Sequence, residues 1–224
     1  MKDYSLSKIE ELVERYPELS VNKSEIVKAA ECIINAYRSG NKILCCGNGG
    51  SAADSLHIVG ELMKAFVCKR KVSAEWQEKF SSCKDSDYII KNLQMALPAI
   101  SLVSETGLLT AYANDVAPDM NFAQQVFGQG KEGDILIAIS TSGNSANVIY
   151  AAEVAQAMGI KVIGLTGESG GALKALADVL INVPQKETFK IQELHLPVYH
   201  AICLAVEAEF YPDETIDDAV RYPF

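Results

Sequence analysis

Short, wholly apolar runs return along this chain at regular distances, and most are followed by a glycine- or serine-rich turn and then a helical stretch. The runs are 42–46 (KILCC), 98–103 (PAISLV), 134–140 (DILIAIS), 161–166 (KVIGLT) and 179–183 (VLINV). A run with no polar alternation reads as a strand covered on both faces. Parallel strands need crossover connections, and helices supply them. The pattern predicts an α/β fold, a doubly wound and mostly parallel sheet flanked by helices. We expect one domain over 1–224, with N-terminal helices over 1–40, a core over 41–210 and an insertion at about 70–95.

Two amphipathic helices are predicted before the first strand. In 6–16, Ile9, Leu12 and Val13 fall at i, i+3 and i+4. In 24–38, Ile26, Ala29, Ala30, Ile33, Ile34 and Tyr37 share a stripe, with Ser24 as N-cap and Gly40 closing the helix. Their apolar faces require a partner, either the core or another subunit. The helix expected over 51–66 carries Leu56, Ile58, Val59, Leu62 and Met63, apolar nearly all round, which points to burial. Residues 68–94 are polar, charged and weakly periodic, and hold the only tryptophan, Trp76. They read as a surface insertion with one helix near 85–95. Further helices are expected over 106–113, 146–158, 172–177 and 191–210, the last with a kink at Pro197.

Composition closes off several classes. With 224 residues, 49% hydrophobic and 22% charged, the chain is too apolar for a disordered one. No apolar run approaches the roughly 18 residues of a membrane span. The first residues lack the apolar core of a secretory signal. A net charge of −9 disfavours nucleic acid, whose phosphates must be neutralised. A small anion is still admissible, because backbone N–H groups and hydroxyls bind phosphate without net positive charge. The six cysteines form no C-x-x-C pair; several sit in apolar stretches and read as small core hydrophobes in a reducing cytoplasm, with neither a disulfide framework nor a zinc–thiolate site.

Five places can carry chemistry. Gly47-Asn48-Gly49-Gly50-Ser51 joins a strand to a helix, where a ligand can approach backbone N–H groups closely. It fits a dinucleotide fingerprint only weakly: about 20 residues on there is no acid and no second strand. A tight turn selected for packing is the alternative. Ser140-Thr141-Ser142-Gly143-Asn144-Ser145 gathers hydroxyls at a helix start, as a phosphate cradle would; a plain N-cap needs one serine. His57 and Glu61, four apart on one helical face, are either a satisfied buried pair or an acid/base or metal-ligand pair. Gln192, Glu193, His195 and His200 share the last helix, and periodicity does not choose between the two histidines. Asn114-Asp115 by itself reads as a turn.

Taken together, CGNGGSAADSLHIVGEL, AND, ISTSGNSANVI and ETFKIQELHLPVYH, in this order, resemble the sugar isomerase (SIS) domain family and, within it, the sedoheptulose 7-phosphate (phosphoheptose) isomerases. The resemblance implies a flavodoxin-like fold of five parallel strands and a homotetramer with sites between subunits. It implies conversion of sedoheptulose 7-phosphate to D-glycero-D-manno-heptose 7-phosphate, toward bacterial surface polysaccharides. Ser140, Thr141, Ser142 and Ser145 match the phosphate cradle; Asn48, Gly49, Gly50 and Ser51 match sugar and phosphate contacts; Asn114 and Asp115 match a substrate-binding pair. Glu61 and His200 match the acid/base residues. His57, Glu61, Gln192 and His200 match a zinc set seen in some members, and Gln192 also stands among the substrate contacts. His195 matches a position with no assigned role. Two departures bear on the choice of sugar: the extended link over about 72–94, and Phe189 where the family often has an acid.

The expected mechanism is an isomerisation through a cis-enediol, with Glu61 as carbon base and His200 as the group that moves protons between oxygens. The alternatives are an isomerase of another phosphosugar, a phosphosugar-sensing regulatory domain, and a non-catalytic SIS tetramer that binds a replication initiator. No basic helix-turn-helix precedes residue 40, and the acid/base set is present, which argues against the last two.

Overall fold

The computed structural model describes residues 1–211. The five apolar runs form β1 (Ile43–Gly47), β2 (Ala99–Ser101), β3 (Ile135–Ile139), β4 (Lys161–Thr166) and β5 (Val179–Asn182). They lie in one sheet in the order β2-β1-β3-β4-β5, every neighbouring pair parallel. The helices are α1 (Asp3–Arg15), α2 (Lys23–Arg38), α3 (Gly50–Met63), α4 (Ala74–Phe80), α5 (Ser86–Asn92), α6 (Thr106–Asp115), α7 (Asn121–Gln129), α8 (Ala146–Ala157) and α9 (Thr188–Phe210). The expected α/β fold with a five-stranded parallel sheet is what the chain adopts.

Successive side chains of a strand face opposite sides, and the core divides accordingly. Ile43, Cys45, Ile135, Ile137, Ile139, Ile163 and Leu165 pack with α1, α2, α3 and α9. Leu44, Cys46, Leu136, Ala138 and Val162 pack with α7 and α8 on the other face. Cys45, Cys46, Cys68 and Cys203 are buried, as small hydrophobes should be.

Several expectations are corrected. Ser24 does not cap α2: the helix begins one residue earlier, directly off a 3-10 turn (Pro17–Asn22), and no side chain caps it. Gly40 does close it, at φ 74°. The insertion holds two short helices, α4 and α5, where one was expected, and an antiparallel bridge between Lys71 and Gln94 ties its ends. The segment over 172–177 is a 3-10 turn (Ala172–Ala175), too short for an α-helix before β5. Asn114 and Asp115 complete the last turn of α6 and form no separate turn. The helix α7, which begins one residue after a 3-10 turn at Pro118, was not foreseen. α9 runs unbroken through Pro197. α3 is not buried all round: Leu56, His57 and Met63 lie on an exposed face.

Two buried carboxylates lock the helical layer. Glu209 receives the Lys2 backbone N–H (2.8 Å), the Ser5 hydroxyl (3.0 Å) and the Arg38 guanidinium (2.5 Å), so that α1 and α2 are tied to the end of α9. Burial alone would raise its pKa, but these donors and nearby charges hold it below the usual carboxylate value. Glu207, fully buried, accepts the N–H groups of Phe66, Val67 and Cys68 and the Arg70 Nε, at 2.8–3.0 Å. Arg70, also fully buried, turns its other nitrogens to the carbonyls of Leu62 (2.5 Å) and Glu61 (2.9 Å). The open carbonyl end of α3 is thereby satisfied and fastened to α9.

Two outcomes follow. Arg70→Met leaves an unpaired buried carboxylate and should cost about 3–5 kcal/mol in urea unfolding. The depressed pKa of Glu209 contributes stability that is present above its unfolded value and is lost as pH falls through the folded one. Stability measured against pH on the acid side should therefore decline less steeply in Glu209→Gln than in the parent chain.

Candidate active site

The strand ends place the conspicuous loops together. β1 and β3 are neighbours from which the chain departs in opposite directions, and in open α/β sheets the crevice beyond such a switch point holds ligands. The glycine loop leaves β1 there and the serine loop leaves β3.

The glycine loop needs its glycines. A Cβ on Gly47 would sit 2.6 Å from the Ser51 carbonyl oxygen, and one on Gly50 would sit 2.6 Å from Gln192 Nε2. Gly50 thus admits the Gln192 side chain from α9 against the start of α3. The Asn48 and Asn147 amides exchange hydrogen bonds at 2.8 and 2.9 Å, which joins this loop to α8. In the serine loop the Ser140 and Ser145 hydroxyls are 3.0 Å apart, and Ser142 Oγ accepts the Asn144 N–H at 3.1 Å. Asn144 in turn accepts the Ala172 N–H at 2.9 Å. Thr141, Ser142 and Asn144 line an open cleft of about 420 Å³ with Glu168, Lys186 and Ile191.

One further group forms where α3 lies beside α9. Glu61 Oε1 is 3.2 Å from His57 Nε2, and Glu61 Oε2 is 2.8 Å from Lys64 Nζ. His57 Nδ1 is 2.9 Å from the Tyr199 hydroxyl, which donates to Asp54 Oδ1 at 3.3 Å. The rings of His57 and His200 meet edge to face, centroids 4.9 Å apart at 87°. His200 Nε2 is buried with no partner among the described residues. Burial, and secondarily the neighbouring His57, lower the His200 pKa. Burial raises that of Asp54 against the Tyr199 hydrogen bond.

The structure also chooses between the two histidines of α9. His195 is fully buried, its Nε2 3.2 Å from the Thr166 carbonyl, and burial pulls its pKa down to about 4. It is a core residue, while His200 joins His57 and Glu61. Asn114 and Asp115 are not brought to this group in the single chain. They are exposed on α6, which packs mainly on α7 and the Pro118–Met120 turn, and they bond each other at 2.8 Å. Asp54, Lys64, Asn147 and Tyr199 were not anticipated. Helical spacing could have found Asp54, three residues before His57, and Lys64, three after Glu61; Asn147 and Tyr199 are visible only once the helices pack.

The donors fit a zinc ion in kind: a carboxylate and two imidazoles, one of them His200 with its buried Nε2 orphaned. They are not drawn up as a finished cage. Among the described residues no group of three His, Cys, Asp or Glu side chains is arranged to hold a metal, and His57 is closed onto Glu61 and Tyr199.

Gly143 offers a local test. It lies at φ 67°, and a Cβ there would strike the backbone of Gly170 and Gly171. Gly143→Ala should cost about 1–3 kcal/mol in thermal or urea unfolding, and should loosen the serine loop from the loop after β4.

Comparison with known proteins agrees with the fold. The sequence profile of the SIS domain matches residues 6–77 and 89–167 and passes over 78–88, within the insertion. The chain is 35% identical over 211 residues to a phosphoheptose isomerase of Akkermansia muciniphila, covering 94% of this chain and 99% of that protein. It is 41% identical over 192 residues to one of Shewanella baltica, covering 84% and 85%. The solved phosphoheptose isomerase of Neisseria gonorrhoeae superposes with a TM-score of 0.68 at 36% identity, covering 91% of this chain and 93% of that one. The chain belongs to the SIS domain family and, within it, to the phosphoheptose isomerases.

Proposed function

We propose that this protein is a phosphosugar isomerase that converts sedoheptulose 7-phosphate to D-glycero-D-manno-heptose 7-phosphate. The observation that supports the reading best is the meeting of Glu61 and His200 on either side of His57, at a place where distant stretches of sequence converge. The names of the relatives give the substrate class.

The reaction needs two proton movements. Glu61 removes a proton from C1 of the ketose as the C2 carbonyl oxygen gains one, giving an enediol. The proton on O1 then leaves while C2 is reprotonated by Glu61, and the aldehyde forms at C1. His200 carries the oxygen-bound proton between O2 and O1, a task suited to imidazole. Zinc held by His57, Glu61, Gln192 and His200 would supply polarisation of the carbonyl.

Binding at the far end fixes the reacting carbons. Ser140, Thr141, Ser142 and Ser145 are the proposed phosphate cradle, at the start of α8, where the helix end favours an anion. Asn48, Gly49, Gly50, Ser51 and Gln192 are the proposed sugar contacts, a reading supported by the close approach of Gln192 to Gly50. The remote phosphate contact holds the sugar in register with Glu61. Asn114 and Asp115 would have to come from a second copy. The proposed homotetramer needs a self-association surface, and the exposed Leu56 and Met63 on α3 and Leu196 on α9 support one on the helices that carry the group. A different phosphosugar is a second reading, favoured by the segment 78–88 that the family profile passes over and by Phe189, 55% exposed.

Incubation of a panel of ketose phosphates in deuterated water, with and without chelator, tests these readings together. Deuterium should enter the carbon next to the carbonyl, fastest with the seven-carbon ketose. Loss of exchange with chelator, restored by zinc, supports the metal; unchanged exchange removes it. Glu61→Gln should lower kcat by about 10²–10⁴-fold while phosphosugar binding survives in calorimetry. Normal turnover in that variant would exclude Glu61 as the base.

A further inference from the structure

Tyr199 and Asp54 have no place in the proton transfers just described, yet both are joined to His57. Tyr199 is 3% exposed and its hydroxyl lies between Asp54 Oδ1 (3.3 Å) and His57 Nδ1 (2.9 Å). Asp54 Oδ2 is buried without a partner among the described residues. Tyr199 contributes the one hydrogen bond that Asp54 receives there.

The hydroxyl has one hydrogen to give, and an ionised carboxylate can only accept. If Tyr199 gave its hydrogen to His57, Asp54 would be left with no donor in a half-buried site, at a cost of the order of 1–3 kcal/mol. The hydrogen therefore goes to Asp54, and the Tyr199 oxygen accepts from His57. His57 must then carry its proton on Nδ1.

We propose that Asp54 and Tyr199 are positioning residues that hold His57 in the Nδ1–H form and fix its ring, with Nε2 turned to Glu61. Free imidazole has no such constraint, and a half-exposed histidine could turn freely; here the packing of Tyr199 against the ring, centroids 5.5 Å apart at 75°, removes that freedom. With the Nδ1 proton given to Tyr199, Nε2 is left 3.2 Å from Glu61 Oε1, an approach that calls for a proton or a cation between the two. A pair of acceptors so directed is prepared to share a cation. The helices specify the arrangement: Asp54 and His57 are one turn apart on α3, and Tyr199 faces them from α9. The proposal adds to the isomerase reading, in which His57 is a ligand or neighbour of the acid/base pair, but its direct test does not depend on turnover.

The test is the 15N spectrum of the histidine side chains in the full chain. It contains three histidines, and His195, whose Nε2 must donate to the Thr166 carbonyl, serves as an internal reference of the opposite tautomer. In the parent chain His57 should show a proton on Nδ1. Tyr199→Phe should move it to Nε2 and leave Nδ1 bare. Asp54→Ala should do the same although Tyr199 remains, because the freed hydroxyl then donates to Nδ1; loss of fold alone would not change one histidine and spare His195. In isomerase assays both variants should lose about 10–100-fold in kcat with KM nearly unchanged. A bare Nδ1 in the parent chain, or parent-like spectra in both variants, overturns the proposal. Switched tautomers with unchanged kcat would overturn the positioning role. Absence of turnover in the parent chain would refute the isomerase reading alone, leaving the spectra to decide this one.

Discussion

The pairing of Arg70 with Glu207 sets the distance between the two helices that carry the candidate site. Glu207 gathers the N–H groups of Phe66, Val67 and Cys68, and Arg70 reaches from it to the last carbonyls of α3. Both side chains are fully buried, so each depends on the other for its desolvated charge. Nothing else in the described residues ties the end of α3 so directly to α9. At the opposite end of the same helix pair, the missing side chain of Gly50 leaves room for Gln192. Between these two fixed points the helices run side by side in the same direction, and His57 and Glu61 face Tyr199 and His200.

A net charge of −9 and a phosphosugar ligand are compatible because the proposed anion site is made of backbone and hydroxyl groups at a helix start. The acid/base group is different in kind. Its members are charged or titratable side chains that must be kept from closing on one another in unproductive pairs. Asp54, Tyr199, His57, Glu61 and Lys64 form a continuous chain of polar contacts, and among the described residues His200 Nε2, like Asp54 Oδ2, is left without a partner. The two helices that carry the group also expose an apolar rim, Leu56 and Met63 on α3 and Leu196 on α9. A second copy placed on that rim would bury it.

Much of the fold was legible before any coordinates. The runs KILCC, DILIAIS, KVIGLT and VLINV are strands, and the stripes containing Ile9 and Ile33 are helices that pack into the core. Elements were misread where local signals compete. Ser24 has the chemistry of a cap, but a 3-10 turn already leads the chain into α2. Pro197 loses one helical hydrogen bond, yet α9 is enclosed by α1, α2 and α3 and stays whole. In the insertion, α4 has no buried residue, so no stripe announces it. Of the site, the spacing of His57 and Glu61 was visible because both lie on one helix. Tyr199 was not, since its partners are more than a hundred residues away.

The sequence by itself determined the sheet, its parallel sense and the loops at its carboxyl edge, because apolar periodicity and glycine placement act over a few residues. It also singled out the residue types able to bind a phosphate and move protons. Only the tertiary structure decided that His200 and not His195 joins Glu61, that His195 is a core residue, and that Asp54 and Tyr199 stand behind His57. It also left Asn114 and Asp115 on an exposed helix away from that group. The reason is that a helix offers both histidines equally to its surroundings, and which one meets a carboxylate depends on the packing angle and offset of a second helix. That offset is fixed by buried contacts between residues far apart in the chain, which no local pattern encodes.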